Sequence, residues 1–242
     1  LRSDTAYPGS WTGYIERKVM KQLIENKVEE LLSEQFCLSR ACLRGNQTVF
    51  TVKADMKKPY FKILAYKNCV AVCSSEELSD RLRQLLQGKS RDEIFELPFV
   101  YGQTIHYVPD YGHCQYTPAY SRYKCPLLFD KDIQNLRGVT GFENSLVFEK
   151  DGSTAARAVC FAEDGKEIIG VAGASATSAD SLWEIGVDVR EKYRGEGLGT
   201  YLVSRLTDEL MERDIVPFYS ASVTNVGSQR TAHRSGYIPV WI

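Results

Sequence analysis

The stretch with the most chemistry per residue is Trp183–Thr200, WEIGVDVREKYRGEGLGT. Trp183, Ile185, Val187 and Val189 alternate with Glu184, Gly186, Asp188 and Arg190, the two-residue period of a strand. Arg194-Gly195-Glu196-Gly197-Leu198-Gly199-Thr200 follows. Leu198, Leu202, Leu206 and Leu210 then recur every fourth residue, as in a helix with one buried stripe. A glycine-rich turn that opens a helix presents unpaired backbone N–H groups at the positive end of the helix dipole. That is an anion site suited to phosphate. The backbone from Gly195 to Thr200 can cradle a pyrophosphate, and Arg194 adds charge or braces the turn. A P-loop would need Lys-Ser/Thr after its last glycine, but Thr200-Tyr201 stands there. A dinucleotide fingerprint would need G-x-G-x-x-G, whereas Gly195, Gly197 and Gly199 give G-x-G-x-G.

The elements that must hold this loop are readable around it. Thr154–Ala162 and Glu167–Ala174 read as apolar strands joined by the hairpin turn Glu163-Asp164-Gly165-Lys166. A helix is expected over Leu198–Arg213, then a strand over Pro217–Thr224. A short helix over Val226–Arg234 is closed by Gly236, and Tyr237–Ile242 is a final strand. Upstream, Asp130–Leu136 is a short helix. Tyr14–Gln35 is a charged amphipathic helix, whose short apolar seam leaves a homodimer open. Thr48–Met56, Tyr60–Ala65 and Cys69–Cys73 are strands. A helix capped by a Ser74/Glu77 box runs to Gln87, and Ser90–Phe95 is a second helical piece. Leu97–Cys125 is rich in tyrosine and reads as a linker or edge strand, with an aromatic substrate wall as the sharper alternative. The expected division is a smaller α+β unit over 1–100, a tyrosine-rich connector or first strand over 101–125, and the loop-bearing unit over 126–242.

Composition narrows the function classes. The 242 residues carry a formal net charge of −1, which gives no case for nucleic acid or an anionic membrane as partner. An apolar fraction of 43% supports a sizeable core. No apolar run approaches bilayer length and the first residues hold no signal-peptide core, so a cytoplasmic protein is expected. Seven cysteines without paired spacing read as free thiols. Cys37-x4-Cys42 and Cys69-x3-Cys73 lack zinc-site spacing, and His106, His113 and Cys114 fall in the connector. No metal is expected.

The loop, with Arg-x-x-Gly-x-Gly after a strand, resembles the pyrophosphate loop of the GNAT (Gcn5-related N-acetyltransferase) superfamily. Asn225-x-x-Ser228 before Gly236-Tyr237, one strand and one helix downstream, is similar to that family's second signature. The resemblance spans roughly 126–242 and is closest to a bacterial group with its own N-terminal domain. It implies an α/β (α+β) acyl-CoA N-acyltransferase fold with a mixed central sheet. It implies acetyl-CoA as co-substrate and direct transfer to a primary amine of a small molecule or peptide. It also implies that Val187 and Val189 pair with the pantetheine arm, and that Asn225 and Ser228 contact the arm or phosphates. As a turn and helix cap, Asn225 and Ser228 need no ligand at all.

Amine attack on a thioester needs a base, an oxyanion donor and a proton for the leaving thiolate. A backbone N–H near Val189 suits the oxyanion. Glu184 is the first choice of base and Asp188 the second, since acids on a central strand are unusual unless they border a cleft. Either acid pairing with a nearby cation is the plainer alternative, and a bulge in this strand would change which way both face. Many members of the family carry tyrosine seven residues after the asparagine. Here Ala232 stands there, which leaves Tyr219, Tyr237, His233 or water for the thiolate. A longer acyl donor, a CoA-binding sensor without turnover, and aminoacyl-tRNA-dependent transfer are the competing functions.

Overall fold

The computed structural model describes residues 11–110 and 122–242, with side chains from Lys18 onward in the first helix. Ten strands form one mixed sheet. In chain order they are β1 (Thr48–Val52), β2 (Phe61–Tyr66), β3 (Cys69–Ser74), β4 (Thr104–Pro109), β5 (Leu127–Phe129), β6 (Ala156–Asp164), β7 (Glu167–Ala176), β8 (Leu182–Val189), β9 (Val216–Ser222) and β10 (Tyr237–Trp241). Their spatial order is β1-β3-β2-β10-β4-β9-β8-β7-β6-β5. The β1/β3 and β8/β9 pairs are parallel, and all others are antiparallel. The helices are α1 (Trp11–Gln35), α2 (Arg40–Leu43), α3 (Glu76–Leu86), α4 (Arg91–Phe95), α5 (Leu198–Met211) and α6 (Val226–Arg234). Asp130–Leu136 is a 3-10 helix. The mixed α/β fold expected from the sequence is present.

Both faces of the sheet are covered, for reasons visible in the side chains. The leucine stripe of α5 buries completely against β6, β7 and β8, with Leu198 1% exposed and Leu202, Leu206 and Leu210 at 0%. On the opposite face, α1 sets Ile24, Val28, Leu31 and Leu32 against Leu64, Leu182, Val216 and Phe218. The β6–β7 hairpin turns at Gly165, whose φ of 63° suits glycine.

Three local expectations change. Ser74 ends β3 instead of capping a helix; α3 starts after Ser75, whose side chain makes no cap bond. The box that forms is Ser90 with Glu93. The stretch read as a linker or edge strand contains β4, paired on both sides with β10 and β9. Its Tyr107 and Val108 are buried, which an edge would not do. The third change concerns β1, expected over Thr48–Met56: it ends at Val52 and pairs in parallel with β3, while β2 and β3 form the tight hairpin. His113 and Cys114, with Tyr111, Tyr116 and Tyr120, lie outside the described residues. No described helix is long and apolar enough to cross a membrane. Among the described residues no group of three metal-ligating side chains occurs.

Candidate active site

The site follows from where two strands part. Parallel pairing of β8 with β9 runs from Leu182↔Val216 to Ile185↔Tyr219 and stops, although both strands continue. Pairing of β8 with β7 runs unbroken from Ala176↔Trp183 to Gly170↔Val189, so β8 holds no bulge against β7 and its alternation is strict. Val187 and Val189 face α5: a Cβ on Gly199 would touch both. Glu184, Gly186 and Asp188 face the other side.

Backbone direction follows from one hydrogen bond. Arg190 N–H donates to the Ile169 carbonyl at 2.9 Å. Hydrogen-bonded pairs alternate in an antiparallel ladder, so Asp188 and Gly186 direct their backbone groups to β7. Val187 and Val189 direct theirs to the opening left by β9. The Val189 carbonyl is already taken by Arg194 Nε at 2.8 Å, so Arg194 braces the turn.

The glycine loop opens α5 as its residue types require. Gly197 is the N-cap with φ 86°, and its carbonyl accepts the first helical bond, from Tyr201 N–H at 3.0 Å. The N–H groups of Leu198, Gly199 and Thr200 are left at the helix start. They border a cavity of about 480 Å³ that Val187, Asp188, Val189, Arg194, Gly195, Gly197, Asn225 and Ser228 also line. Of the predicted loop residues, Glu196 does not line it; its carboxylate pairs with Arg122 at 2.5 Å. Asn225 Oδ1 accepts from Ser228 N–H at 3.0 Å, so this pair caps α6 while also lining the cavity.

A second cavity of about 430 Å³ adjoins the first and shares Asn144, Val187, Tyr219, Asn225 and Ser228 with it. It is bordered by Glu184, Ser175, Ser220 and Ser222. The Glu184 carboxylate accepts from Ser220 Oγ at 2.5 Å. The two acids thus differ in setting. Glu184 borders the second cavity with one hydroxyl donor. Asp188 borders the first and accepts three bonds, from Asn144 N–H at 2.8 Å, Asn144 Nδ2 at 2.5 Å and Ser145 Oγ at 3.0 Å.

Of the proton-donor alternatives, Tyr219 borders both cavities, with its hydroxyl 2.7 Å from Ser228 Oγ. Burial raises its pKa, and the Ser228 bond offsets part of the rise. The Tyr237 hydroxyl is buried against Thr207 at 2.6 Å. His233 is exposed and meets the edge of Tyr107. Ala232 is fully buried in the core beneath α6.

Among the lining residues that the sequence did not single out are Arg230, Arg234 and Asn144. Arg230 and Arg234 sit on the α6 face toward the first cavity, and neither has an ion-pair partner among the described residues. Asn144 lies in a loop with no motif. Its signal was indirect: Gly173 and Gly186 inside strands mark close backbone approach.

No curated protein matches the chain. Among solved structures, a protein described as an acetyltransferase of the GNAT family from Novosphingobium aromaticivorans matches with 16% identity and a TM-score of 0.43, over 56% of this chain and 59% of its own. A GCN5-related N-acetyltransferase-like protein from Streptococcus suis matches with 19% identity and a TM-score of 0.45, over 72% of this chain and 70% of its own. A GCN5-related N-acetyltransferase from Kribbella flavida matches with 17% identity and a TM-score of 0.40, over 57% and 55%. Residues 126–237, which hold every candidate residue of the site, match the model of the acetyltransferase (GNAT) family.

Proposed function

We propose that this protein is an N-acetyltransferase that carries an acetyl group from acetyl-CoA to a primary amine of a small molecule or peptide, by direct attack with both substrates bound. The observation that carries the reading is the parting of β8 from β9. It joins a cavity bordered by helix-start N–H groups to a second cavity bordered by a carboxylate.

The first cavity fits the donor. Helix-start N–H groups of α5 suit a pyrophosphate, and Arg230 and Arg234 add positive charge beside it. The outward backbone groups of Val187 suit the amides of an extended pantetheine arm, in the manner of an added strand. The donor supplies an activated thioester.

In the second cavity Glu184 receives a proton from the acceptor ammonium, which frees the lone pair for attack on the thioester carbon. A backbone N–H of β8 near Val189 steadies the oxyanion. The carbon–sulfur bond then breaks and its electron pair leaves on sulfur. The Tyr219 phenol, protonated at neutral pH, supplies a proton to that sulfur, and the extra proton that the new bond leaves on nitrogen returns to the phenolate through water, which restores Tyr219.

Binding is tested by thermal shift. A ligand at about 100 times its Kd stabilises by about 2.7 kcal/mol, which in a chain of this size raises Tm by about 5–11 °C. Absence of any shift at millimolar acetyl-CoA would sink the reading. Turnover is tested by thiol release across a panel of amines. Glu184→Gln is expected to lower turnover while CoA affinity stays unchanged. Donor binding with no amine-dependent release from any acceptor would overturn the transferase assignment.

A further inference from the structure

Gly173 and Gly186 stand opposite each other on β7 and β8. A Cβ on Gly186 would fall 1.7 Å from the Asn144 carbonyl oxygen, and one on Gly173 would fall 1.8 Å from that of Ser145. The chain over 142–146 therefore rests directly on bare sheet. Phe142 and Leu146 pin its ends in a core cluster with Val159, Phe161 and Val171. Asp188 holds its middle through the three bonds from Asn144 and Ser145.

Asp188 does more than tether this segment. An ionised carboxylate only accepts hydrogen bonds, so it fixes which end of the Asn144 amide faces it. Nδ2 must point to Asp188, and Oδ1 is turned away. Oδ1 has no partner among the described residues, and Asn144 is exposed where both cavities meet. An acceptor amine has more than one N–H. One proton goes to Glu184, and a second N–H can be donated to a fixed carbonyl oxygen. That oxygen would set the direction of the nitrogen lone pair, which a single contact to Glu184 leaves free to rotate.

We infer that Asn144 is a substrate-contacting residue that orients the attacking amine through Oδ1, and that Asp188 is its positioning residue. This rests on the transferase reading above. It moves Asp188 from the role of second base to that of a group acting through Asn144.

The test uses the full chain with acetyl-CoA and three primary-amine probes: ethanolamine, putrescine and lysine amide. Asn144→Ala is expected to lower kcat/KM for an accepted probe about 10-fold, the loss of one well-made contact of about 1.4 kcal/mol. CoA Kd should stay within about 2-fold, since that contact is not made by the donor. Asp188→Asn should give a similar loss but keep the acidic limb of the kcat/KM profile, because the base is left in place. The double variant should be no worse than either single one. Loss of that limb in Asp188→Asn would make Asp188 the base and overturn the inference, as would unchanged amine kinetics in Asn144→Ala. Hydrogen exchange reads the tether without turnover. Asp188→Asn should speed exchange over 142–146 and leave 197–201 unchanged, and equal protection in both proteins would refute the tether. If the wild type acetylates none of the probes, the transferase reading fails for these amines and the Asn144 role falls with it. A wild type that turns over beside an unaffected Asn144→Ala overturns the present inference alone.

Discussion

Gly186→Ala is the sharpest perturbation the sheet offers. The new methyl would meet a backbone oxygen at 1.7 Å, and backbone cannot rotate aside as a side chain would. An ordinary C···O contact is about 3.3 Å, so the 142–146 segment must rise by about 1.6 Å. Bonds from Asn144 and Ser145 to Asp188 that now span 2.5 to 3.0 Å would then exceed hydrogen-bond reach. Asn144 is exposed, so water replaces most of its loss; Ser145 is buried and its loss counts. Overpacking adds about 1–3 kcal/mol. Together the cost is about 3 kcal/mol, a fall in Tm of about 6–12 °C for a chain of this length. Gly165→Ala is the control. Its φ is 63° and nothing lies within 4 Å of the added methyl, so only conformational strain of about 1 kcal/mol is expected. Calorimetry gives both numbers, and acceptor kinetics on Gly186→Ala should worsen while CoA affinity holds. A Gly186→Ala protein that melts no lower than the Gly165→Ala control would refute the contact, and with it the account of the segment as laid on bare sheet.

Three further outcomes follow from the same geometry. Gly197→Ala forces an L side chain to φ 86° at the N-cap of α5, so CoA Kd should rise about 10-fold or more as the N–H groups turn, and titration calorimetry showing wild-type affinity would reduce the loop to a plain helix start. Arg230→Ala and Arg234→Ala should each weaken CoA about 3- to 10-fold and flatten the salt dependence of binding, because both cations border the first cavity without a protein partner among the described residues; equal affinity and salt slope would remove them from the site. His106 is held neutral, its pKa lowered from 6.5 to about 4 by burial first and then by Lys62. The unfolded chain takes up that proton near 6.5 and the folded chain only near 4, so stability is full above pH 6.5 and falls by about 3 kcal/mol on the way down to pH 4. His106→Phe should flatten the dependence of Tm on pH in that window, and an unchanged slope would assign the acid sensitivity to other groups.

What the amino-acid sequence reveals here is what is local. The alternation of Trp183–Val189, the leucine stripe of α5 and the glycine turn between them each arise within a few residues, and each is found where the spacing puts it. Pairing is not local. That β4 lies between β9 and β10 depends on partners more than a hundred residues away, and Thr104–Pro109 has the short mixed run that an edge strand would also show. The facing of Glu184 and Asp188 was open until the ladder to β7 proved regular. Asn144 was invisible for a related reason. A polar residue in a loop has no periodicity, and its importance comes only from Gly173, Gly186 and Asp188 arriving beneath it. The Ser74 cap failed because Ser74 is committed to the β3 ladder with Val52 and Phe61, so the helix must wait one residue.

On the proposed reading, the phenol at Tyr219 fills the role that Ala232 leaves open. Ala232 is fully enclosed by the core that α6 shares with α5 and the sheet, so this chain uses that position for packing. Tyr219 comes instead from β9, at the last residue paired with β8 before the strands part. Its backbone is held by pairing to Ile185 on one side and Tyr107 on the other. The hydroxyl still reaches α6, through Ser228. Ser228 N–H is in turn the donor to the Asn225 cap, so the proton-bearing group, the α6 cap and the opening between the strands form one connected unit. Moving the phenol from helix to sheet leaves the face of α6 toward the donor cavity to Arg230 and Arg234. On the proposed reading, the helix that lacks the tyrosine is the one whose arginines would meet the donor's phosphates.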